Sequence, residues 1–286
     1  MELALGTAQF GLAYGVAGRN SPVPENEVRI ILARACSLGI RMLDTAAAYG
    51  EIESHLVGLV VGQMFRIVTK LPAMPVGMNA VEADAWIGSA LQRADERIRG
   101  SLYAVLFHRP EDLLLYADVV WDRCMVWGSD RGIKLGVSCY DPAMLTRICE
   151  QFPITIAQLP VNAFDQRLRT QQSLFRRDLE IHARSAFLQG LLLMPEADAV
   201  QRLPSATAGL RRWHAWCRKR GMAPLVAALA ILKGMPDVSY CVVGVDSLEH
   251  LDAIAEAWDI AVPEYAAGLA VNIKEVIDPR RWKIAA

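Results

Sequence analysis

The chain has 286 residues, 53% of them hydrophobic, with 30 Lys and Arg against 31 Asp and Glu, a formal charge of −1. That balance gives no electrostatic reason to expect nucleic acid or an anionic membrane surface as partner. No run of about 18 uncharged apolar residues is present to cross a bilayer. The Met-Glu-Leu start lacks the basic region of a secretion signal, so a cytoplasmic protein is expected.

Short β-like runs alternate with helical patterns along the chain. "LALGT" (3–7) reads as the first strand. Residues 26–38 follow as a helix, with Val28, Ile31, Leu32 and Ala35 on one face. "RMLDT" (41–45) is the second strand, and Glu51 and Glu53 beyond it read as a helix start, where the dipole favours acids. After "RIVTK" (66–70) a long helix spans 80–98, with Gly100 as its C-cap. "YAVLFH" (103–108) and "IKLGVS" (133–138) come next. Asp141 as N-cap and Pro142 at the first helical position then open a helix to Glu150. "ITIAQL" (154–159) and "LEIHAR" (179–184) are joined by the least helical link. "LRRWHAWCRKR" (210–220) is the basic cluster. Leu210, Trp213 and Cys217 recur there at helical spacing, so its charges read as a solvated helix face. "SYCVVG" (239–244) is the last strand, and Ser247 caps a helix over 248–257.

Eight such units in a chain of this length predict a (β/α)8 barrel, with a doubly wound open sheet as the rival. No composition break divides the chain, so one domain over 1–286 is expected. The six cysteines form no C-x-x-C pair and read as small buried hydrophobes, Cys139 at a strand end being the exception. The five histidines are scattered and predict no metal site.

Active sites of such barrels lie at the C-terminal ends of the strands. Those ends hold Asp44, Lys70, His108, Ser138, Gln158 and Arg184, with Tyr49 just past the second strand. A tyrosine titrates near 10, and an adjacent ammonium lowers that value. A carboxylate anchors the ammonium, and a histidine hydrogen-bonds a substrate oxygen. Together Asp44, Tyr49, Lys70 and His108 make a proton donor for a carbonyl oxygen. Singly, each has a commoner role: a turn former, a half-buried aromatic, a surface lysine, a structural histidine. The barrel rule gathers them at one mouth.

"GTAQFGLAYG", "LDTAAAYGE", "TKLP" and "LFHRP" resemble the aldo-keto reductases in order and strand position, over Leu5 to about Leu251. The resemblance implies a barrel enzyme that reduces aldehydes and ketones with NADPH, NADH being the alternative. It makes Tyr49 the general acid, with Lys70 lowering its pKa, Asp44 holding Lys70, and His108 positioning the carbonyl.

No G-x-G-x-x-G occurs, and "GTAQFGL" lacks the Lys-Ser/Thr of a P-loop. The expected phosphate site is therefore "ARSAFLQG" with "VVGVDSLEHL", containing Gly244 and the helix capped by Ser247. By resemblance Gly6 and Thr7 border the cofactor, Ser138 and Gln158 contact the carboxamide, and Ser185, Phe187 and Gln189 follow the pyrophosphate. Three departures stand out. Cys139 replaces an asparagine; Arg184, a cofactor contact whose guanidinium can stack or meet a phosphate, replaces an aromatic that stacks on the nicotinamide; and His250, Ala253 and Ile254 replace the arginine, glutamate and asparagine of the adenosine end. Asp246 adds a negative charge there.

A small carbonyl substrate follows, a sugar or sugar-derived aldehyde by analogy with short bacterial-type members. Residues 74–79, Tyr14, Trp121 or Trp127, and Phe164 are candidates for shaping its pocket. Two other functions compete: a non-catalytic cofactor-binding subunit or sensor, and an enzyme using Lys70 as a Schiff base. The oligomeric state is left open.

Overall fold

Eight parallel strands pair in sequence order and close on themselves in a computed structural model, which describes residues 1–16, 18–60, 64–171 and 178–282. They are β1 (Glu2–Gly6), β2 (Met42–Asp44), β3 (Arg66–Leu71), β4 (Leu102–Phe107), β5 (Lys134–Ser138), β6 (Ile156–Pro160), β7 (Glu180–Arg184) and β8 (Tyr240–Gly244). Each lies within two residues of its sequence-predicted span. The helices are α1 (Ala8–Gly11), α2 (Glu25–Ser37), α3 (Ile52–Leu59), α4 (Ala80–Ile98), α5 (Pro110–Leu115), α6 (Ala117–Ser129), α7 (Pro142–Gln151), α8 (Glu196–Arg202), α9 (Thr207–Arg220), α10 (Pro224–Lys233), α11 (Leu248–Ile260) and α12 (Lys274–Ile277). This is a (β/α)8 barrel, not an open doubly wound sheet. Between β6 and β7 the described residues hold only a 3-10 turn, Arg167–Thr170.

Strand pleating sorts the core into two layers. Ala4, Met42, Val68, Ala104, Leu106, Ile156, Tyr240 and Val242 fill the barrel interior. Their neighbours Leu3, Leu5, Leu43, Ile67, Val105 and Ala157 face outward and join the helices in the larger cluster.

Local signals explain most element ends. Asn79 and Glu82 cap α4 reciprocally, Glu82 N–H donating to Asn79 Oδ1 at 3.0 Å and Asn79 N–H to Glu82 Oε2 at 2.9 Å. That helix does not end on Gly100 as expected. Arg99 itself takes a positive φ of 45°, and Gly100 lies in a following 3-10 turn. Ile98 is needed in the core and Leu102 starts β4, so the chain reverses one residue early. Glu53 does more than complement a dipole. It is 2% exposed, accepts from Thr69 Oγ1 and pairs with Arg97 at 2.9 Å, tying α3 to β3 and α4. In α9 the expected face is buried: Leu210, Trp213 and Cys217, joined by Gly209 and His214.

The N-terminal mouth is plugged by a charged network. Glu180 accepts from Tyr103 at 2.7 Å and Lys134 at 2.6 Å and lies 2.6 Å from His182, while Arg66 donates to Tyr240 at 2.6 Å. Burial pushes the Glu180 carboxyl up, but the bonds from His182, Lys134 and Tyr103 outweigh it and bring it down to about 2. A depressed carboxylate stabilises the fold fully above its unfolded value near 4.5 and loses that contribution as pH falls toward 2. Wild-type stability in urea is therefore expected to drop between about pH 4.5 and 2 by up to about 3 kcal/mol from this group. In Glu180→Gln the same window should be flatter.

Candidate active site

The interior residues dictate what the opposite mouth presents. Two residues on from Ala4, Met42, Val68, Leu106, Ile156 and Val242, on the same face of each strand, stand Gly6, Asp44, Lys70, His108, Gln158 and Gly244. Arg184 follows the interior-facing His182 in the same way. Strand parity thus aims these residues into the barrel at its C-terminal end. A cavity of about 490 Å³ opens there, lined by Asp44, Tyr49, Lys70 and His108 together.

Lys70 is 1% exposed and Asp44 4%. The ammonium donates to both carboxylate oxygens at 2.8 Å and to the Thr45 carbonyl at 2.7 Å, so its three N–H groups have three acceptors. Asp44 also accepts from Gln158 Nε2. Its backbone carbonyl accepts from Thr7, from the amide at 2.9 Å and the hydroxyl at 3.1 Å. Burial lowers the Lys70 pKa, and Asp44 opposes the shift. Lys70 Nζ lies 5.3 Å from the Tyr49 ring centroid, and the His108 ring meets that ring edge-on at 6.3 Å.

Burial and then Asp44 push the Tyr49 phenol far above its usual value, and the cation that opposes them is Arg184. The phenol is therefore protonated at neutral pH. The sequence assigned the lowering role to Lys70; in this arrangement the Asp44 carboxylate lies beside Lys70, and the downward pull comes from Arg184. His108 is brought down to about 4 by burial, then by Lys70 and Arg184, so its ring is neutral above that pH. A neutral ring still donates one N–H.

Tyr49 is held by a backbone contact that sequence reasoning missed. A Cβ built on Gly11 would lie 1.8 Å from the Tyr49 carbonyl oxygen, so only glycine lets α1 approach this loop. Gly50, at φ 63°, packs against Gly11 in return. The signal was present as the second glycine of "GTAQFGL", but its contact lies about forty residues away in sequence.

From the four-residue cluster the cavity wall runs past β7 and β8 to the first turns of α11. Gly6, Ser138, Arg184, Ser185, Phe187, Gln189, Gly244 and His250 line it, as do Asp246, Ala253 and Ile254. Thr7, Gln158 and Ser247 do not. The first two brace Asp44 from behind, and Ser247 Oγ accepts the His250 amide at 3.2 Å as helix cap. The loop after β7 carries three non-glycine residues at positive φ, Ser185 (60°), Leu188 (48°) and Gln189 (54°). Such conformations cost about 1–3 kcal/mol each and cluster at ligand sites. Val16 N–H donates to Gln189 O at 3.1 Å, so the loop after β1 crosses to this one. At Gly244 a Cβ would meet the Gln9 side chain at 2.4 Å, so the wall is shaped around its absence.

Of the expected pocket-shaping residues only Tyr14 lines this cavity. Trp121 packs on Phe152 at 5.5 Å, Phe164 is 1% exposed in the core, Met74 is buried with its amide on Asp112, and Trp127 lies under Arg131 on α6. Trp121 and Trp127 sit on a helix outside the barrel, where side chains cannot reach the mouth. Tyr140, two residues past β5, was missed although the strand-end rule reaches it; it lines both this cavity and a neighbouring one of about 650 Å³. Among the described residues no cluster suits a metal ion.

A long cavity of this kind exceeds the needs of a small carbonyl alone. It joins polar groups at one end to apolar Ala253 and Ile254 beside a helix N-terminus at the other, the order of parts an extended dinucleotide requires. Gln158 Oε1 is buried without a partner, an acceptor left over beside Ser138 in the β5–β6 register. Ser138 on the wall, this acceptor behind it and the α11 N-terminus at the far end together fit a nicotinamide dinucleotide. The profile described as the aldo/keto reductase family matches residues 2–273. The chain belongs to the aldo/keto reductase family. Its fold agrees: an aldo-keto reductase from Bacillus halodurans, solved in its holo form, superposes with a TM-score of 0.72 at 18% identity, over 98% of this chain and 95% of that one. A Pseudomonas aeruginosa protein assigned to the aldo-keto reductases superposes at 0.65 and 21% identity, over 91% and 90%. No curated protein matches the chain by sequence. As a member of this family the chain is a nicotinamide-dependent oxidoreductase of small carbonyl compounds. No helix among the described residues is long and apolar enough to span a membrane.

Proposed function

We propose that this aldo/keto reductase reduces the carbonyl of a small aldehyde or ketone, a sugar-derived aldehyde included, with Tyr49 as proton donor. The observation that carries the reading is the buried Lys70–Asp44 pair beside Tyr49 and His108 in one cavity. When bound, the reduced nicotinamide supplies hydride to the carbonyl carbon. Tyr49 Oη gives its proton to the carbonyl oxygen as negative charge develops there. His108, neutral, donates its N–H to the same oxygen and fixes the carbonyl's orientation. Lys70 holds a positive charge next to the phenol, and Asp44 holds Lys70 in place. A Schiff base at Lys70 would keep at most one of its three N–H groups and so break at least two of its buried hydrogen bonds, which disfavours that route.

The whole chain, 1–286, acts as one domain, and we place it in the cytoplasm. Family resemblance favours NADPH. The adenosine end, however, offers His250 and the α11 amides but, among the described residues, no Arg or Lys at that end of the wall, and Asp246 faces it with negative charge. A 2′-phosphate is therefore held weakly. NADPH and NADH are expected to bind within about tenfold of each other, a difference of about 1.4 kcal/mol or less. Titration of cofactor fluorescence against each nucleotide, followed by aldehyde-dependent oxidation, tests both statements. No binding of either nucleotide would sink the function, and a hundredfold preference would sink the weak phosphate site.

A further inference from the structure

Arg184 stands where the resemblance implies an aromatic ring, and its surroundings are unlike those of the other arginines near the mouth. Arg109 and Arg280 are paired with Asp112 and Asp278. Among the described residues Arg184 has no carboxylate within ion-pair distance. Its guanidinium donates to the Cys139 carbonyl at 3.2 Å and weakly to Ser185 Oγ at 3.4 Å, and its Nε–H is buried with no acceptor. It lies 4.0 Å from the Tyr140 ring centroid, with Arg280 3.5 Å from the same centroid, so the two cations take the two faces of that ring. The ring fixes the fork in orientation.

This cation sits at the reacting end of the cavity. Its charge acts on Tyr49, His108, Lys70 and Tyr14. Placing it near Lys70 is unfavourable in the free protein, and an orphan donor in a buried spot adds to the cost. An oxyanion in the cavity would offset the repulsion between the two cations. The adjoining cavity, reached past His108, Ser138 and Tyr140, is of mixed charge: Arg109 and Arg280 on its wall are already paired with Asp112 and Asp278, and Glu111 and Asp141 line it too.

We propose that the carbonyl substrate carries a carboxylate on, or within a few atoms of, the reacting carbon, and that Arg184 binds it. The proposal rests on the reductase reading above and narrows its substrate to oxo acids of small size. A planar guanidinium presents two parallel donors to a carboxylate, a geometry that a neutral sugar does not use.

The test compares matched carbonyl compounds, 4-oxobutanoate with 4-oxobutanamide and glyoxylate with glycolaldehyde, in wild type, Arg184→Met and Arg184→Lys. Wild type is expected to prefer one or both acids by about 10- to 100-fold in kcat/KM. In Arg184→Met that ratio should collapse toward one, with the loss in KM, and Arg184→Lys should restore part of it. Calorimetry with succinate gives a readout without turnover: binding to wild type, none to Arg184→Met. Cofactor fluorescence separates the rival use of the guanidinium. If Arg184→Met weakens dinucleotide binding more than tenfold and leaves the acid-to-amide ratio unchanged, Arg184 serves the pyrophosphate and the proposal fails. Equal wild-type rates on acid and neutral partner, with no succinate binding, would also overturn it while leaving the reductase reading standing. Failure to reduce any carbonyl with dinucleotide bound would overturn both.

Discussion

Tyr49→Phe is expected to lower kcat for carbonyl reduction by about 100- to 10,000-fold, the range for loss of a positioned acid, with dinucleotide affinity unchanged. The ring stays, so the edge contact with His108 and the approach to Lys70 survive. Only the hydroxyl that carries the proton is removed. Because burial and Asp44 hold the phenol protonated, and His108 is neutral above about 4, neither group changes charge across the neutral range. Wild-type kcat/KM should accordingly be flat between about pH 5 and 9. Stopped-flow or steady-state oxidation of the reduced nucleotide measures both. A variant retaining a tenth or more of wild-type kcat would remove Tyr49 from the chemistry. A steep fall in wild-type rate through pH 6 to 7 would show that His108 acts charged.

Lys70→Met should fail differently. It deletes an ammonium that makes three hydrogen bonds and leaves Asp44, 4% exposed, without its counter-ion. Removing one partner of a buried pair costs about 3–5 kcal/mol, so urea unfolding should show a loss of that size together with loss of reduction. The double variant Asp44→Leu/Lys70→Met separates the two effects. It should regain much of the stability, less the cost of leaving the Gln158 amide without its acceptor. It should regain no activity, since the Lys70 ammonium beside Tyr49 is not restored. Recovery of activity in the double variant would reduce Lys70 to a structural residue.

The composition and the eight apolar runs sufficed for the barrel, because parallel strands buried on both faces are nearly continuous in their hydrophobicity and the helices between them are amphipathic. Which residues gather at the C-terminal mouth was legible too. Asp44, Lys70 and His108 fall two residues beyond interior positions, and parity along a strand is a property of sequence. The pocket walls were less so. Trp121 and Trp127 looked like pocket aromatics until their helix was placed outside the barrel, and Thr7, Gln158 and Ser247 proved to be braces and a cap, because a polar side chain can satisfy the backbone as readily as a ligand.

Two features lie entirely in the tertiary structure. Gly11 is indispensable only because Tyr49's loop presses on it, a contact between segments that sequence separates. The electrostatics of the phenol likewise depend on which cation stands unneutralised. Sequence reasoning named Lys70 alone as the cation beside the phenol, but folding spends the Lys70 charge on Asp44 and, among the described residues, leaves Arg184 without a carboxylate. Residue type and strand parity determined which groups reach the mouth. Their pairing, and so the protonation state of each, depends on distances of a few ångströms that only the closed barrel sets.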